Sequence, residues 1–122
     1  MKIYVTHSKD FEYAEKLYKP IRESGFSKEH EITLPYEHGT PYSSSKDKIK
    51  ECHLLIAEVS KSSTGSGIEI GWADMLSKPV VAYYQNGTTV SNSLKFATKE
   101  LLSYGNSEEL LAHIGAAIKK FS

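Results

Sequence analysis

The sequence predicts an α/β fold in which helices cover both faces of a five-stranded parallel sheet. Short apolar runs rich in β-branched residues, most clearly 53–59 and 79–84, are typical of buried strands. They alternate along the chain with segments whose apolar residues recur at helical spacing. Such alternation indicates a parallel sheet. A chain of 122 residues fits one domain of this kind, which we place at 1–122.

The first three elements are predicted between residues 2 and 35. Residues 2–7 alternate around a β-branched centre and predict a buried strand. Residues 10–24 have helical spacing; we expect Pro20 to kink this helix or split off its last turn, and Gly25 to end it. Residues 30–35 predict the second strand, which ends at its proline.

A long loop and the central strand come next. Residues 36–45 are rich in Gly, Pro, Ser and Tyr and lack periodicity, which predicts a loop long enough to carry function. A short helix is expected over 46–51, capped by one of the serines 43–45. Residues 53–59 are almost continuously apolar, as expected of a strand in the middle of the sheet.

The C-terminal half completes the predicted sheet. After the Ser/Gly-rich stretch 60–67, the elements expected are a helix at 67–77, a strand at 79–84, a helical turn at 91–97 and an edge strand at 99–104. An amphipathic helix begins at Ser107, taken as its capping residue, and has a basic last turn. The predicted strand order is 2-1-3-4-5, a three-layer flavodoxin-like or Rossmann-like arrangement.

Charge and cysteine content exclude several classes of protein. Lys plus Arg and Asp plus Glu each number 15, a balance that argues against binding a nucleic-acid polymer. The single cysteine, Cys52, forms no internal disulfide, and no targeting segment is recognisable, so we expect a cytoplasmic protein. Apolar stretches of four or five residues are too short to span a membrane. The histidines are too scattered to predict a metal site.

Polar residues follow the strands where a ligand site is expected. In open α/β sheets, ligands bind beyond the carboxyl ends of the strands, at the point where the strand order reverses. The first strand brings Thr6, His7 and Ser8 to this edge, and the third brings Glu58 and Ser60. The sequence therefore predicts a site between the first and third strands.

The segment 62–69 carries the strongest chemical signal. Gly65 and Gly67 let the backbone approach a ligand closely, and the following helix directs free amides toward an anion. Glu69 then has two equally supported interpretations. It either acts on the sugar of a bound ligand, or it completes a capping box with Ser66, at S-x-x-E spacing.

Other polar or reactive residues are weaker candidates. Glu58 either orients a ligand hydroxyl or bonds the backbone of the next loop, and His7 is more simply structural. Tyr4 is expected in the core, with its hydroxyl within reach of a buried carboxylate. Three further residues are predicted to serve packing: Cys52, Trp72 and Met75.

The stretch from Leu54 to Val81 resembles the nucleoside 2-deoxyribosyltransferase superfamily, most closely its 2′-deoxynucleoside 5′-monophosphate N-glycosidases. The signature of that group is a strand ending in A-E-V-[ST], followed by P-S-x-G-x-G-x-E-[LI]-G-x-A. This chain has Ala57-Glu58-Val59-Ser60, and then Ser63-Thr64-Gly65-Ser66-Gly67-Ile68-Glu69-Ile70-Gly71-Trp72-Ala73. Ser62 replaces the proline of the signature.

The resemblance implies roles for individual residues. Glu69 falls on the catalytic nucleophile of the family, Tyr4 on a tyrosine beside it, and Ser63 on a serine that contacts phosphate. Asn92 lies near the position that reaches into the site of a neighbouring subunit, a role that Ser91 or Ser93 fills equally well. A homodimer with composite sites is therefore implied, and neither a metal nor an organic cofactor is needed.

The chain departs from the family at two places. The family has a glycine-rich loop with an arginine after the first strand, where this chain has Thr6-His7-Ser8-Lys9-Asp10, with Lys9 as the replacement for the arginine. The acid that contacts the base in the family falls near Ser45 here, which leaves Glu37, Asp47 or Glu58 as alternative acids.

The predicted function is cleavage of the base–sugar bond of a nucleoside or nucleoside 5′-monophosphate through Glu69. A deoxyribosyltransferase and a nucleotide-sensing module without turnover are the alternatives.

Overall fold

All strands of the sheet are parallel, and their order is β2-β1-β3-β4-β5. The computed structural model describes residues 1–41 and 43–122. The strands are β1 (Lys2–His7), β2 (Glu31–Thr33), β3 (Leu54–Glu58), β4 (Val80–Gln85) and β5 (Glu100–Tyr104). The predicted fold class and strand order are confirmed.

Helices cover both faces of this sheet. A π-helical turn (Ala14–Tyr18) continues into an α-helical segment (Lys19–Glu23), and together they form α1. The others are α2 (Phe26–Glu29), α3 (Lys46–Glu51), α4 (Thr64–Met75), α5 (Leu94–Ala97) and α6 (Ser107–Phe121). Among the described residues, no helix is long and apolar enough to cross a membrane.

The core is divided into two apolar clusters by the sheet. Ile3 and Val5 of β1 belong to the cluster under α1 and α6, whereas Tyr4 belongs to the cluster under α3 and α4. β3 divides in the same way, with Leu54 and Ile56 on the first face and its intervening residues on the second. This alternation follows from the two-residue period of a strand, and it decides which polar side chains can meet at the sheet edge.

The first helix differs from its prediction at both ends. It begins at Ala14, later than residue 10, and it ends at Glu23, because Ser24 is extended and its backbone N–H bonds the Ile21 carbonyl at 3.2 Å. Gly25 does not end the helix in a left-handed conformation. Its φ is −67°, and it precedes the unpredicted short helix α2.

Two capping predictions are wrong by one turn or less. α4 starts at Thr64 and not at residue 67, because Ser63 is its N-cap and accepts a hydrogen bond from the Ser66 amide. The cap of α6 is Asn106, whose side chain accepts from the Glu109 amide at 2.9 Å, so Ser107 is the first helical residue.

The packing predictions for α4 are partly wrong. Met75 is 85% exposed, because the buried side of the helix is formed by Ser66, Ile70 and Ala73, and Met75 points away from it. Trp72 is half-buried against the same cluster. Cys52 is buried, as expected.

The loop predicted at 36–45 contains no helix or strand in its described part; Tyr42 lies outside the described residues.

Candidate active site

A cleft of about 960 Å³ opens at the carboxyl edge of the sheet, beside the switch point between β1 and β3. Its walls come from the end of β1, the loop after β2, the start of α3 and the first turns of α4. The residues that line it include Tyr4, His7, Ser8, Lys9, Tyr36, Ser45, Ser63, Gly65, Glu69 and Trp72. A cleft therefore lies at the edge of the sheet where the sequence predicts the site.

The carboxylate of Glu69 is held in the cleft by three hydroxyl groups. Tyr4 donates to Oε2 at 2.8 Å, and Thr6 donates to Oε1 at 2.7 Å. The Ser45 hydroxyl also donates to Oε2. Both oxygens therefore accept hydrogen bonds, which fix the orientation of the carboxylate in the cleft.

This geometry excludes the capping box. Ser63 satisfies the Ser66 amide, and the Glu69 side chain turns across to β1 instead of back to the helix start. Tyr4 and Thr6 both reach Glu69 because they are two residues apart on one strand and so lie on the same face of the sheet. Of the two interpretations of Glu69, the structure therefore supports the one in which its carboxylate lies in the cleft.

Burial raises the pKa of the Tyr4 hydroxyl, and the adjacent Glu69 charge raises it further. The side chain is 3% exposed. Tyr4 therefore stays protonated at neutral pH and acts as a permanent hydrogen-bond donor to Glu69.

His7 joins the elements on one side of the cleft. Its Nδ1 lies 2.9 Å from the Ser8 carbonyl, which only accepts, so Nδ1 carries the proton. Nε2 then accepts from the Tyr18 hydroxyl at 2.6 Å, and that hydroxyl accepts from the Tyr36 amide at 3.0 Å. The His7 ring also stacks on Tyr13, with 4.6 Å between centroids. Burial lowers the pKa of His7, so the ring is neutral at pH 7.

The N-terminus of α4 forms the polar end of the cleft. Ser63, Gly65 and Ser66 lie in its first turn, and Ser8 and Lys9 face the same space. The Ser8 hydroxyl accepts from the Asp10 amide at 3.0 Å. Backbone amides at a helix start favour a negatively charged or strongly polar group.

Glu58 is separated from this cleft by the sheet. Its side chain shares a face with Leu54 and Ile56, opposite to the face of Glu69. The carboxylate accepts from the Ser60 amide at 2.7 Å, from the Ser60 hydroxyl at 2.8 Å and from the Tyr104 hydroxyl. Burial raises its pKa despite these donors. Of its two predicted roles, Glu58 therefore has the structural one: it forms hydrogen bonds with the loop that follows β3.

Several other predicted residues also lie outside the cleft. Glu37 forms an ion pair with Arg22, with 2.6 Å between Oε2 and Nε, and that pair lowers the carboxyl pKa. Asp47 is exposed on α3. Gly67 lines a smaller pocket of about 280 Å³ between α4 and α5, and Asn92 is exposed in the segment before α5.

Sequence reasoning offered the loop 35–38 as the source of a stacking tyrosine, and Tyr36 lines the cleft, but it missed the bond from Thr6 to Glu69 and the contribution of Trp72. Thr6 was placed at the site but given no partner, although its two-residue spacing from Tyr4 puts both hydroxyls on one face. Trp72 is predicted to serve packing alone, yet it also lines the cleft.

Among the described residues, no cluster of three or more His, Cys, Asp or Glu side chains is suited to hold a metal ion.

Comparison with known proteins identifies the fold through solved structures. No protein-family model matches the chain, and no curated protein matches it by sequence. The CMP N-glycosidase BcmB of Clostridium botulinum superposes with a TM-score of 0.72 at 19% identity, covering 96% of this chain and 99% of the other. A 2-deoxyribosyltransferase from Bacillus psychrosaccharolyticus gives a TM-score of 0.63 at 16% identity, covering 90% of each chain.

A third similar structure, a conserved protein from Enterococcus faecalis V583, gives a TM-score of 0.62 at 19% identity, covering 96% of this chain and 98% of that one. These likenesses extend over nearly the whole chain, and they show that it has the same fold.

Proposed function

We propose that residues 1–122 form one domain of the nucleoside 2-deoxyribosyltransferase superfamily, and that it cleaves the base–sugar bond of a nucleoside or nucleoside 5′-monophosphate. The observation that carries this proposal is the Glu69 carboxylate, held in the cleft by Tyr4, Thr6 and Ser45. The similarity in fold to an N-glycosidase and to a deoxyribosyltransferase supports the same class of reaction.

In the proposed reaction, Glu69 is the nucleophile. One carboxylate oxygen attacks C1′ of the sugar, the bond from C1′ to the base breaks, and a glycosyl ester forms on Glu69. The base leaves with the electron pair of the broken bond and takes up one proton. Water then attacks C1′, releases the carboxylate and gives up one proton, so that the reaction balances and the sugar product retains its configuration. Tyr4 and Thr6 position the two carboxylate oxygens of Glu69 for attack. Their hydrogen bonds to both oxygens form again when the ester is cleaved.

The substrate lies with its 5′ end toward α4. The amides of the first turn, the Ser63 hydroxyl and Ser8 are suited to a 5′-hydroxyl or a 5′-phosphate, and Lys9 adds a positive charge at the rim. The base then lies between the walls that contain Tyr36 and Trp72. This assignment gives Ser8, Lys9 and Ser63 a contact with the substrate, whereas His7 and Ser45 are bonded to other groups of the protein.

Transfer to a second base is the other candidate reaction. The glycosyl ester is common to both reactions, and only the acceptor differs. The similarity to a 2-deoxyribosyltransferase favours this second candidate.

The test is a panel of ribo- and deoxyribonucleosides with their 5′-monophosphates, followed by chromatography for free base. We expect base release by the wild type and a loss of about 1,000-fold or more in Glu69→Gln. Glu108→Gln, at an exposed carboxylate in the first turn of α6, is the matched control and should keep full activity. A second free base added to the reaction separates hydrolysis from transfer. Ligand binding without base release, unaffected by Glu69→Gln, would refute the enzyme and leave a sensing module.

We also propose that the protein is a homodimer with composite sites. Ile68, Met75 and Leu76 form an exposed apolar stripe on α4, and Phe96 of α5 is 88% exposed. Ile68 also lines the cleft, so a second copy covering this stripe lies within reach of the substrate. Asn92, just before α5, would then face the neighbouring site.

A further inference from the structure

We propose that Lys48 is a further catalytic residue, whose ammonium group gives a proton to the base as the bond to C1′ breaks. This inference rests on the proposed role of Glu69 as the nucleophile and adds the group that assists the departure of the base. The substrates that it favours are nucleosides with an uncharged base, which leaves with a negative charge unless a donor neutralises it.

The first argument is the position of Lys48 on α3. Ser45 is the N-cap of this helix, and Lys48 follows it by three residues, so the two residues lie on the same side of the helix. Both line the cleft, and the Ser45 hydroxyl donates to Oε2 of Glu69. The side of α3 that carries Lys48 therefore faces the nucleophile and the sugar carbon that it attacks.

The second argument places the start of α3 at the base end of the cleft. Along the axis of α4, Glu69 lies about 7.5 Å beyond Thr64 and Trp72 about 12 Å beyond it, at a rise of about 1.5 Å per residue. Trp72 is therefore farther than the nucleophile from the helix start, to which the 5′ end of the substrate is assigned. Lys46 Nζ lies 5.1 Å from the Trp72 ring centroid, so the start of α3 adjoins the wall assigned to the base.

The third argument concerns the movement of charge in the proposed reaction. When Glu69 attacks C1′, its negative charge is lost in the ester, and an equal charge develops on the departing base. Ammonium groups lie on both aromatic walls assigned to the base, since Lys9 Nζ is 5.4 Å from the Tyr36 centroid and a second lysine lies over Trp72. Positive groups near a developing negative charge stabilise the transition state. Lys48 adds an ammonium group with three N–H donors to this end of the cleft.

The proposed step balances in atoms and charge. The electron pair of the C1′–N bond passes to the base, and the base takes one proton from Lys48 Nζ, which becomes a neutral amine. Water then attacks C1′ of the glycosyl ester, and the proton that it loses returns Lys48 to the ammonium form through solvent. The sum is a nucleoside and water giving a free sugar and a neutral base.

The experiment compares substrates whose base does or does not need a proton to leave as a neutral molecule. Guanosine and cytidine need one, whereas 7-methylguanosine and 3-methylcytidine already carry a positive charge on the base. Each is used as the nucleoside and as the 5′-monophosphate, release of base is followed by chromatography, and the signal from Glu69→Gln is subtracted. Lys50→Met is the matched control, at an exposed lysine of the same helix outside the described residues that line the cleft.

In Lys48→Met, we expect kcat/KM for the uncharged substrates to fall about 10-fold to 100-fold, because their base loses its proton donor. For the methylated partner of the same base, kcat/KM should stay the same or rise, since a positive charge that repels the cationic base has been removed. Lys50→Met should leave both values unchanged. A purely structural role of Lys48 would lower both members of a pair equally, so the ratio between them measures the proposed role.

Chemical restoration of the amine provides a second measurement. Lys48→Cys, alkylated with 2-bromoethylamine, regains an ammonium group at the end of a side chain of lysine length, whereas the native Cys52 is only 2% exposed. Alkylation should raise the rate about tenfold with the uncharged nucleoside or nucleotide that the wild type cleaves fastest. Wild-type protein treated in the same way controls for modification elsewhere.

Selective loss in Lys48→Met, together with recovery after alkylation, supports the proposal. Full activity of Lys48→Met, an equal loss for both members of every pair, or an alkylated variant as slow as the untreated one overturns it and leaves the N-glycosidase function intact. Release of methylated bases alone also overturns it, because uncharged bases then receive no assistance. Where only uncharged bases are released, recovery after alkylation decides. Base release from no substrate overturns this proposal and the proposed function together.

Discussion

At the scale of single residues, the Glu69 carboxylate depends on three donors from two separate segments of the chain. Tyr4 and Thr6 come from the first strand and Ser45 from the start of α3. Each donor fixes the direction of the carboxylate oxygen that attacks in the proposed reaction. Removing one donor should therefore affect catalysis more than folding.

Thr6→Val tests this expectation with a side chain of nearly the same shape. Without the bond to Oε1, we expect kcat to fall about 10-fold to 100-fold while the free energy of unfolding falls by about 1–2 kcal/mol. Steady-state kinetics and urea denaturation measure the two effects. Thr98→Val removes a hydroxyl that bonds the Leu94 carbonyl at 2.7 Å, away from the cleft, and should leave kcat unchanged. Equal kcat in both variants would argue against the positioning role of Thr6.

His7 should make stability depend on pH below about 6.5. Burial lowers the pKa of His7 in the folded protein, so below the ordinary histidine value of 6.5 the unfolded chain binds a proton that the folded chain does not. Stability then decreases as pH falls, with a slope of at most about 1.4 kcal/mol per pH unit from this group. The loss levels off below the pKa of the folded state.

Urea denaturation of the wild type and of His7→Gln between pH 7.5 and 5 measures this contribution. The variant should lose less stability over the acidic part of the range. The groups facing His7 are Tyr13, Tyr18 and Tyr36, with the Glu69 charge nearby. Identical pH dependence in the two proteins would show that His7 is protonated equally in the folded and unfolded chains.

At the scale of elements, α4 has two distinct roles. Its first turn faces the cleft, and its buried side packs on the sheet. Ser63 serves both, since it caps the helix and lines the cleft. Asn106 caps α6 in the same way but lies outside the residues that line the cleft. The two caps therefore provide a matched pair.

Ser63→Ala and Asn106→Ala should each lower the free energy of unfolding by about 1 kcal/mol. Only Ser63→Ala should also raise KM, about threefold to tenfold, because a donor to the 5′ end of the substrate is lost. Thermal denaturation and kinetics on one nucleoside and its 5′-monophosphate measure both effects. A KM unchanged in both variants would confine Ser63 to capping.

Strong local patterns made the helices and strands predictable from the sequence, whereas contacts between residues far apart in the chain were harder to predict. Their apolar composition placed the strands within one residue at every end except the C-terminal end of β2, which differs by two residues. The starts of α4 and α6, by contrast, depended on which of two nearby polar residues formed the cap. Glu69 was ambiguous because S-x-x-E spacing fits a capping box equally well. The contacts with Tyr4 and Thr6, 65 and 63 residues away, distinguish the two geometries.

The position of Glu58 could have been predicted more accurately. It has the same parity along β3 as Leu54 and Ile56, which pack on the face opposite to Tyr4. Its bond to Tyr104, by contrast, spans from β3 across β4 to the end of β5, and the strand order alone does not give such a contact between two side chains. The exposure of Met75 also depends on the direction in which α4 crosses the sheet, which periodicity alone does not give.

At the scale of the whole molecule, the apolar stripe on α4 is the feature most relevant to assembly. Met75→Glu places a charge in the middle of the proposed dimer interface and should raise the dimer dissociation constant about tenfold or more. Leu102→Glu, on an exposed apolar residue of β5 outside the stripe, is the control and should not change it. Sedimentation velocity over a range of concentrations measures both, and a wild type that stays monomeric at tens of micromolar would contradict the dimer.

The alternation of side chains along β1 also makes enzymatic activity a sensitive report of correct strand pairing. If β1 slipped by one residue against β3, Tyr4 and Thr6 would exchange faces with Ile3 and Val5. Such a chain would keep a hydrogen-bonded sheet and much of its circular dichroism signal, yet Glu69 would face aliphatic groups in place of its donors. Turnover per mole of protein should therefore distinguish native molecules from misregistered ones in a refolded sample that looks uniform by spectroscopy.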